Sequence, residues 1–385
     1  MNDGNLQQAT LPGGLHFGGT GTGDVDILPL PAWVRPWLLS LAMLVVVMVA
    51  IGGATRLTGS GLSITEWRPI TGAIPPLSEA AWLVEFEKYR QSSQYELLNA
   101  GMNLSEFRSI YWWEWGHRQF GRLLGLIYAV PMLLLAAAWL RGRVRGSFLL
   151  KLSAIGFLGG LQAAVGWIMV ASGLEPGMIA VAPVKLMLHL VVASIILGCL
   201  IATAHGLSAR TNFRASTTVR GLARAIVILL FVQVALGALV AGSRAGLSYN
   251  TWPLMDGAVI PPLADLFVTR PWYENFFDNV ALVQFQHRAV AYVLFVLVYI
   301  HASIVKQVHP GSGLVGQVNL LLAAVLAQSI LGIMALLLVV PLWAALSHQV
   351  LAMATLAVAV WHACSALGGH RASPDTGLRD QRFKA

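Results

Sequence analysis

Charged residues are scarce: Asp, Glu, Lys and Arg make up 11% of the 385 residues, while 57% are hydrophobic. A soluble core cannot hide that much apolar surface, so lipid must solvate most of the chain. Cysteine is nearly absent, and both Cys199 and Cys364 fall in apolar runs rather than in polar connections where an oxidising compartment could pair them. They read as small packing residues. No HExxH or clustered-cysteine pattern occurs, which removes the familiar zinc sites. Residues 1–35 hold three aspartates and one arginine, Arg35, unlike a cleavable signal peptide or an Arg-rich transit peptide.

What is present is a series of long apolar runs. A bilayer core of about 30 Å needs roughly 20 apolar residues per helix, and spans are expected at 36–58, 117–140, 149–171, 183–206, 222–243, 282–306, 314–340 and 342–366. Pro341 leaves only a very tight turn between the last two. The fold class is therefore an all-α polytopic membrane protein with eight transmembrane helices. The net charge of +8 is a topology signal rather than a nucleic-acid one. Arg141, Arg143, Arg145 and Lys151 cluster at the connection of spans two and three, and Arg210, Arg214, Arg220 and Arg224 at that of spans four and five. Arg371, Arg379, Arg382 and Lys384 fill the tail. By the positive-inside rule both termini are cytoplasmic and the long loops lie outside, as in a multi-pass protein of a bacterial plasma membrane.

The chain repeats itself. After span one comes Gly53-Ala-Thr-Arg56-Leu-Thr-Gly-Ser-Gly61-Leu-Ser63, then Trp67 and Gly72-Ala-Ile-Pro-Pro76. After span five comes Gly242-Ser-Arg244-Ala-Gly246-Leu-Ser248, then Trp252-Pro253 and Gly257-Ala-Val-Ile-Pro-Pro262. Glu114-Trp-Gly-His117-Arg118 opens span two as Gln284-Phe-Gln-His287-Arg288 opens span six. The offset falls from 186 (Pro75 to Pro261) to 170 (His117 to His287), so the first outer loop is the longer. Four spans return the chain to its starting side, giving two parallel-repeat four-helix bundles. The expected organisation is a cytoplasmic tail 1–35, a first half 36–206 with outer loop 59–113, a linker 207–221, a second half 222–366 and a cytoplasmic tail 367–385. A Gln-x-x-x-Gly echo at 162–166, 233–237 and 328–332 reads as helix packing in preference to cofactor contact.

Histidines carry the chemistry. His117, His189, His287 and His348 each fall near the start of an even-numbered span, all on the outer side and two per half. Intramembrane ionisable groups are expensive and default to function. Two imidazoles on facing helices suit a bis-histidine haem, which needs one nitrogen from each side and an apolar slot. Two haem sites follow. Arg118 and Arg288, next to two of these histidines, and Arg56 and Arg244, at the outer ends of spans one and five, are candidate propionate partners or interface anchors. The copies differ where Glu114 faces Gln284. A carboxylate at i−3 shares the face of His117 and could move protons or stabilise positive charge, unless it belongs to the polar loop end beside Trp112, Trp113 and Trp115.

These elements together, GGATRLTGSGLSITEWRPITGAIPP (52–76), EFEKYRQSSQY (85–95), EWGHRQFGRLLG (114–125) and the repeated histidines, resemble the haem A synthase family, in its proteobacterial and mitochondrial-like branch, over residues 36–366. The resemblance implies an enzyme that oxidises the C8 methyl of haem O to a formyl group, giving haem A for terminal oxidase assembly. It further implies that His287 and His348 ligate haem b, that His117 and His189 ligate the substrate haem, and that Glu114 is the catalytic carboxylate. Implied partners are haem O synthase as donor, an unidentified electron-transfer partner and membrane lipid, with no nucleic acid; a homo-oligomer is left open. Some family members carry a cysteine pair in an outer loop, which this chain lacks.

The competing class is a quinone-linked electron-transfer cytochrome b. His301 follows His287 by 14 residues and His362 follows His348 by 14, which would allow haems stacked across the membrane in the second half. The first half lacks the spacing: His205 is 16 beyond His189, and position 131 is Pro131. His205, His301 and His362 are expected near the cytoplasmic interface, and His16, His309 and His370 in exposed segments. A transporter would need a broken helix pair, and none is marked. In the outer loop a short helix is expected from Ser78, with Trp82, Phe86 and Tyr89 on one face, lying either on the membrane surface or over the first-half haem.

Overall fold

The computed structural model describes residues 30–208 and 213–368. His16, His370, Arg210 and the arginines of the tail, with nearly all of both terminal segments, lie outside the described residues. Among the described residues eight helices are long and apolar enough to cross a membrane, and the protein is a multi-pass membrane protein. They are α1 (Val34–Leu57), α2 (Leu104–Leu140), α3 (Gly146–Gly173), α4 (Pro183–Gly206), α5 (Thr217–Gly242), α6 (Val280–Val308), α7 (Gly313–Leu337) and α8 (Leu342–Leu367). Among the described residues the only β pairing is an isolated bridge, Met255 to Ala258.

Most ends fall within a few residues of the apolar runs. The exception is α2, which starts at Leu104 rather than near His117 because a capping box fixes its origin: Asn103 accepts from the Glu106 N–H while Glu106 accepts from that of Asn103. Its first turns bury Phe107 and Tyr111 against Trp82 and Tyr89 of the loop helix Glu79–Arg90. That loop helix begins where expected, with the Ser78 hydroxyl accepting from the Ala81 N–H. Its aromatic face lies on α2 itself, so the amphipathic extension of α2 is partnered by protein and its sequence need not look like a span. At the other tight point, α7 stops at Leu337, short of position 340. Val339 (φ 59°) and Val340 (φ 58°) take left-handed conformations in the turn before Pro341, which precedes α8. Such a backbone costs a β-branched residue on the order of 1–3 kcal/mol.

The helices pack in two corresponding sets. In the first, α1 lies on α2 and α4, and α3 on α4; in the second, α5 lies on α6 and α8, and α7 on α8. The sets meet through α4 on α5, α1 on α8, and α4 on α8. The core at that meeting includes Leu38, Leu41, Leu197, Leu200, Ile226, Met353 and Leu356, with half-buried Cys199 and Cys364 packed against it. Pro131 sits inside α2 without ending it. Burial is uneven. Only 6% of the residues in the apolar stretches of α2 and of α3 are buried within the protein, against 28% in α6 and 17% in α7, so the first set holds its peripheral helices more loosely.

Candidate functional site

In each set the two histidine-bearing helices, α2 with α4 and α6 with α8, have no extensive contact with one another. They stand diagonally, and an odd-numbered helix backs each histidine. A methyl group added to Gly52 of α1 would come within 2.9 Å of the His117 ring; the distances are 2.8 Å for Gly166 and His189, 3.1 Å for Gly237 and His287, and 2.8 Å for Gly332 and His348. Each imidazole is thus seated against a glycine where only a missing side chain leaves room.

Three of the four seats have a second element. Gln162 Nε2 lies 3.2 Å from His189 Nε2, Gln233 Nε2 lies 3.1 Å from His287 Nδ1, and Gln328 Nε2 lies 3.1 Å from His348 Nδ1. Gln233 and Gln328 also donate to the backbone carbonyls of His287 and His348, and His348 Nδ1 lies 3.1 Å from the Gln328 backbone oxygen. The Gln-x-x-x-Gly echo is helix packing as expected, with the glycine allowing close approach and the amide bonding across helices, and in each copy the group approached is a histidine. The three glutamine Oε1 atoms and His189 Nδ1 are buried and have no hydrogen-bond partner among the described residues.

The rings of His287 and His348 face each other with centroids 6.5 Å apart and planes at 77°. An iron at about 2 Å from one nitrogen of each ring would set the centroids roughly 6 Å apart. The pair, its apolar surroundings and its hydrogen-bonded backing fit a bis-histidine haem.

Glu114 is buried and saturated. Its Oε2 accepts from the Ser63 hydroxyl and the Ile64 N–H, each at 2.9 Å, and its Oε1 accepts from Arg118 at 3.1 and 2.6 Å. Arg118 also donates to the Ile64 and Glu66 carbonyls. Gln284 repeats the arrangement with an amide: Oε1 accepts from Arg288 and Nε2 donates to the Ala245 carbonyl, while Arg288 reaches the carbonyl of Tyr249, which follows Leu-Ser as Ile64 does. Arg118 and Arg288 are consequently clamps that tie each loop to its helix. Arg122, which the sequence did not single out, adds a third clamp through the carbonyls of Arg68 and Pro69. Farther along the same loop, the Lys88 ammonium hydrogen-bonded to Glu66 holds that carboxyl below its ordinary pKa. Of the remaining arginines, Arg56 donates to the Ala241 carbonyl at the end of α5, bridging the two sets, and Arg244 is exposed in a left-handed conformation.

The deeper histidines His205, His301 and His362 fall in the last two turns of α4, α6 and α8. His301 and His362 are 0% and 1% exposed, and their Nε2 atoms lie 2.9 Å apart. His362 continues through Gln317 and Ser365 to His205, which stacks edge-on against Trp361. His309 is half-buried, its Nε2 accepting from the Ser216 N–H. Two nitrogens flanking one metal stand roughly 4 Å apart, so the His301–His362 pair is hydrogen-bonded too closely to enclose an iron.

The sequence model described as cytochrome oxidase assembly protein, COX15-CtaA, matches residues 35–360. A protein of Methylobacterium sp. (strain 4-46) named heme A synthase is 57% identical over 86% of this chain and 91% of its own length. Proteins of the same name from Methylorubrum extorquens (strain PA1) and Brucella anthropi are 54% and 47% identical, over 89% and 86% of this chain and 89% and 90% of their own lengths. With a match running through all eight helices and both sets of histidines, the chain belongs to the COX15-CtaA family of cytochrome oxidase assembly proteins.

Proposed function

We propose that this protein is a haem A synthase, a membrane oxidoreductase that converts the C8 methyl of haem O into a formyl group. The observation that carries the reading is the second-half pair: His287 and His348 oppose each other at 6.5 Å, each held by a glutamine and a glycine of the helix behind it. The first half repeats the seats with His117 and His189 and adds the carboxylate Glu114. Apart from Glu106 in the first turn of α2, Glu114 is the only acid on the eight long helices.

In this reading the second half, 222–366, holds haem b between His287 and His348. When bound, that group supplies one-electron transfer to a partner yet to be identified. The first half, 36–206, takes haem O as substrate from the bilayer, where its apolar farnesyl chain resides, and binds its iron through His117 and His189. Oxidation proceeds through the alcohol and the gem-diol, each step adding one water-derived oxygen and releasing two protons while two electrons pass to the external acceptor, and the gem-diol then loses water to the aldehyde. Glu114 is fixed by Ser63, Ile64 and Arg118, and its carboxyl group stabilises positive charge developing on the oxidised carbon without reorganising. Arg56 and Arg244 remain candidates for the propionates, whereas Arg118 and Arg288 act through the loops. Both termini face the cytoplasm of a bacterial cell with the loops outside. Haem O synthase is the donor and terminal oxidase assembly the recipient.

The test is expression in a host that makes haem O but no haem A. Haem A is expected in extracts with the wild-type chain and absent with His189→Ala. Folded wild-type protein carrying haem b but forming no haem A would overturn the reading.

The cytochrome alternative rests on His301 and His362, whose hydrogen bond opposes it. His301→Ala and His362→Ala are expected to keep the full haem complement, read from the absorption spectrum; loss of one haem would favour the cytochrome. Gly332→Ala is a graded check on the seat of His348. Overpacking of this kind costs on the order of 1–3 kcal/mol, so haem b binding should weaken about tenfold or more while Gly313→Ala, whose surroundings are open, leaves it unchanged.

A further inference from the structure

The fourth seat is incomplete. Counting back four residues from each seating glycine gives Gln162, Gln233 and Gln328, but at Gly52 it gives Met48. A thioether is at most a weak acceptor and offers no N–H. Met48 lies against α2 one turn beyond His117, its methyl 3.3 Å from where a methyl on Gly121 would stand. Its partner His117 makes no ring hydrogen bond among the described residues. The His117 ring is also turned. Its Nε2 and Cδ2 edge is nearest Gly52, whereas the other three rings present Cε1 and Nδ1 to their glycines. Around it, α2 and α3 are the least buried of the eight helices.

From this we propose that His117 is the releasable ligand of the first-half haem, and that Met48 is the positioning residue that keeps it so. The inference rests on the reading of the first half as the substrate site. A resident cofactor gains from a glutamine anchored at each of its two ligands, but a haem that arrives as substrate and leaves as product must exchange. Anchoring His189 through Gln162 while leaving His117 without a hydrogen-bonded backing gives the site one fixed side and one that opens. Groups that orient a metal-ligating histidine are typically worth 10–100-fold in affinity, so the missing amide is large enough to separate an exchanging site from a retaining one.

The test measures haem loss from the purified full-length protein to excess apomyoglobin, with each extracted haem identified by mass. Met48→Gln is expected to slow loss of haem O or haem A by about 10–100-fold and to leave the haem b rate unchanged. Met48→Leu should behave as wild type. The reciprocal change, Gln233→Met, should speed haem b loss by about the same factor, which keeps the proposal falsifiable if Met48→Gln fails to fold. Unchanged first-half loss in a folded Met48→Gln protein, or unchanged haem b loss in Gln233→Met, would overturn it. Failure of the underlying reading looks different: only haem b would be extracted, whatever stands at position 48.

Discussion

Glu114→Gln is expected to retain both haems and to form haem A about 100- to 1,000-fold more slowly, the range seen when one preorganised electrostatic group is removed. The second half shows that glutamine fits: Gln284 accepts from Arg288 through Oε1 while Nε2 reaches a loop carbonyl. In the first half the new amide can keep Arg118, but its NH2 would meet the Ser63 hydroxyl and the Ile64 N–H, of which the latter can only donate. Leaving that donor unmatched costs about 1–3 kcal/mol, visible as a lowered melting temperature. If Glu114 were a clamp alone, turnover per bound haem would be preserved and only stability would fall. Haem A formed per mole of haem b separates the two outcomes, and normal output would remove Glu114 from the chemistry.

His348→Ala should lower haem b occupancy to background and abolish turnover, with haem O still bound in the first half. His287→Ala should do the same. Each change removes one of two iron ligands and leaves its backing amide, Gln328 or Gln233, facing a cavity. The loss should therefore exceed that of Gly332→Ala, which displaces a ligand without removing it. A variant lacking His348 that still showed a six-coordinate haem b spectrum would place the haem elsewhere in the bundle.

Much of the architecture was legible because lipid imposes a simple rule. Apolar runs of span length became α1 and α3 to α8 within a few residues, and the sole large error came at α2, whose first turns face protein instead of lipid. The histidines were legible because the repeat placed them twice. Their support was harder to read. The Gln-x-x-x-Gly echo was visible, but what faces each glutamine depends on the packing of another helix, and the fourth copy was hidden by Met48. Arg118 and Arg288 looked available for anions because their bonds run to loop carbonyls more than thirty residues away, as from Arg118 to Ile64 and Arg288 to Tyr249. Spacing placed His301 and His362 on inward faces without revealing that they would bond to each other and become buried.

The central claim is one frame built twice and used for two different haems. It is tested most directly by purifying the wild-type protein in detergent, recording the pyridine haemochrome and identifying the extracted haems by mass. Haem b together with haem O or haem A is expected, with haem b alone lost in His348→Ala. Two equivalents of haem b and no other haem would contradict it.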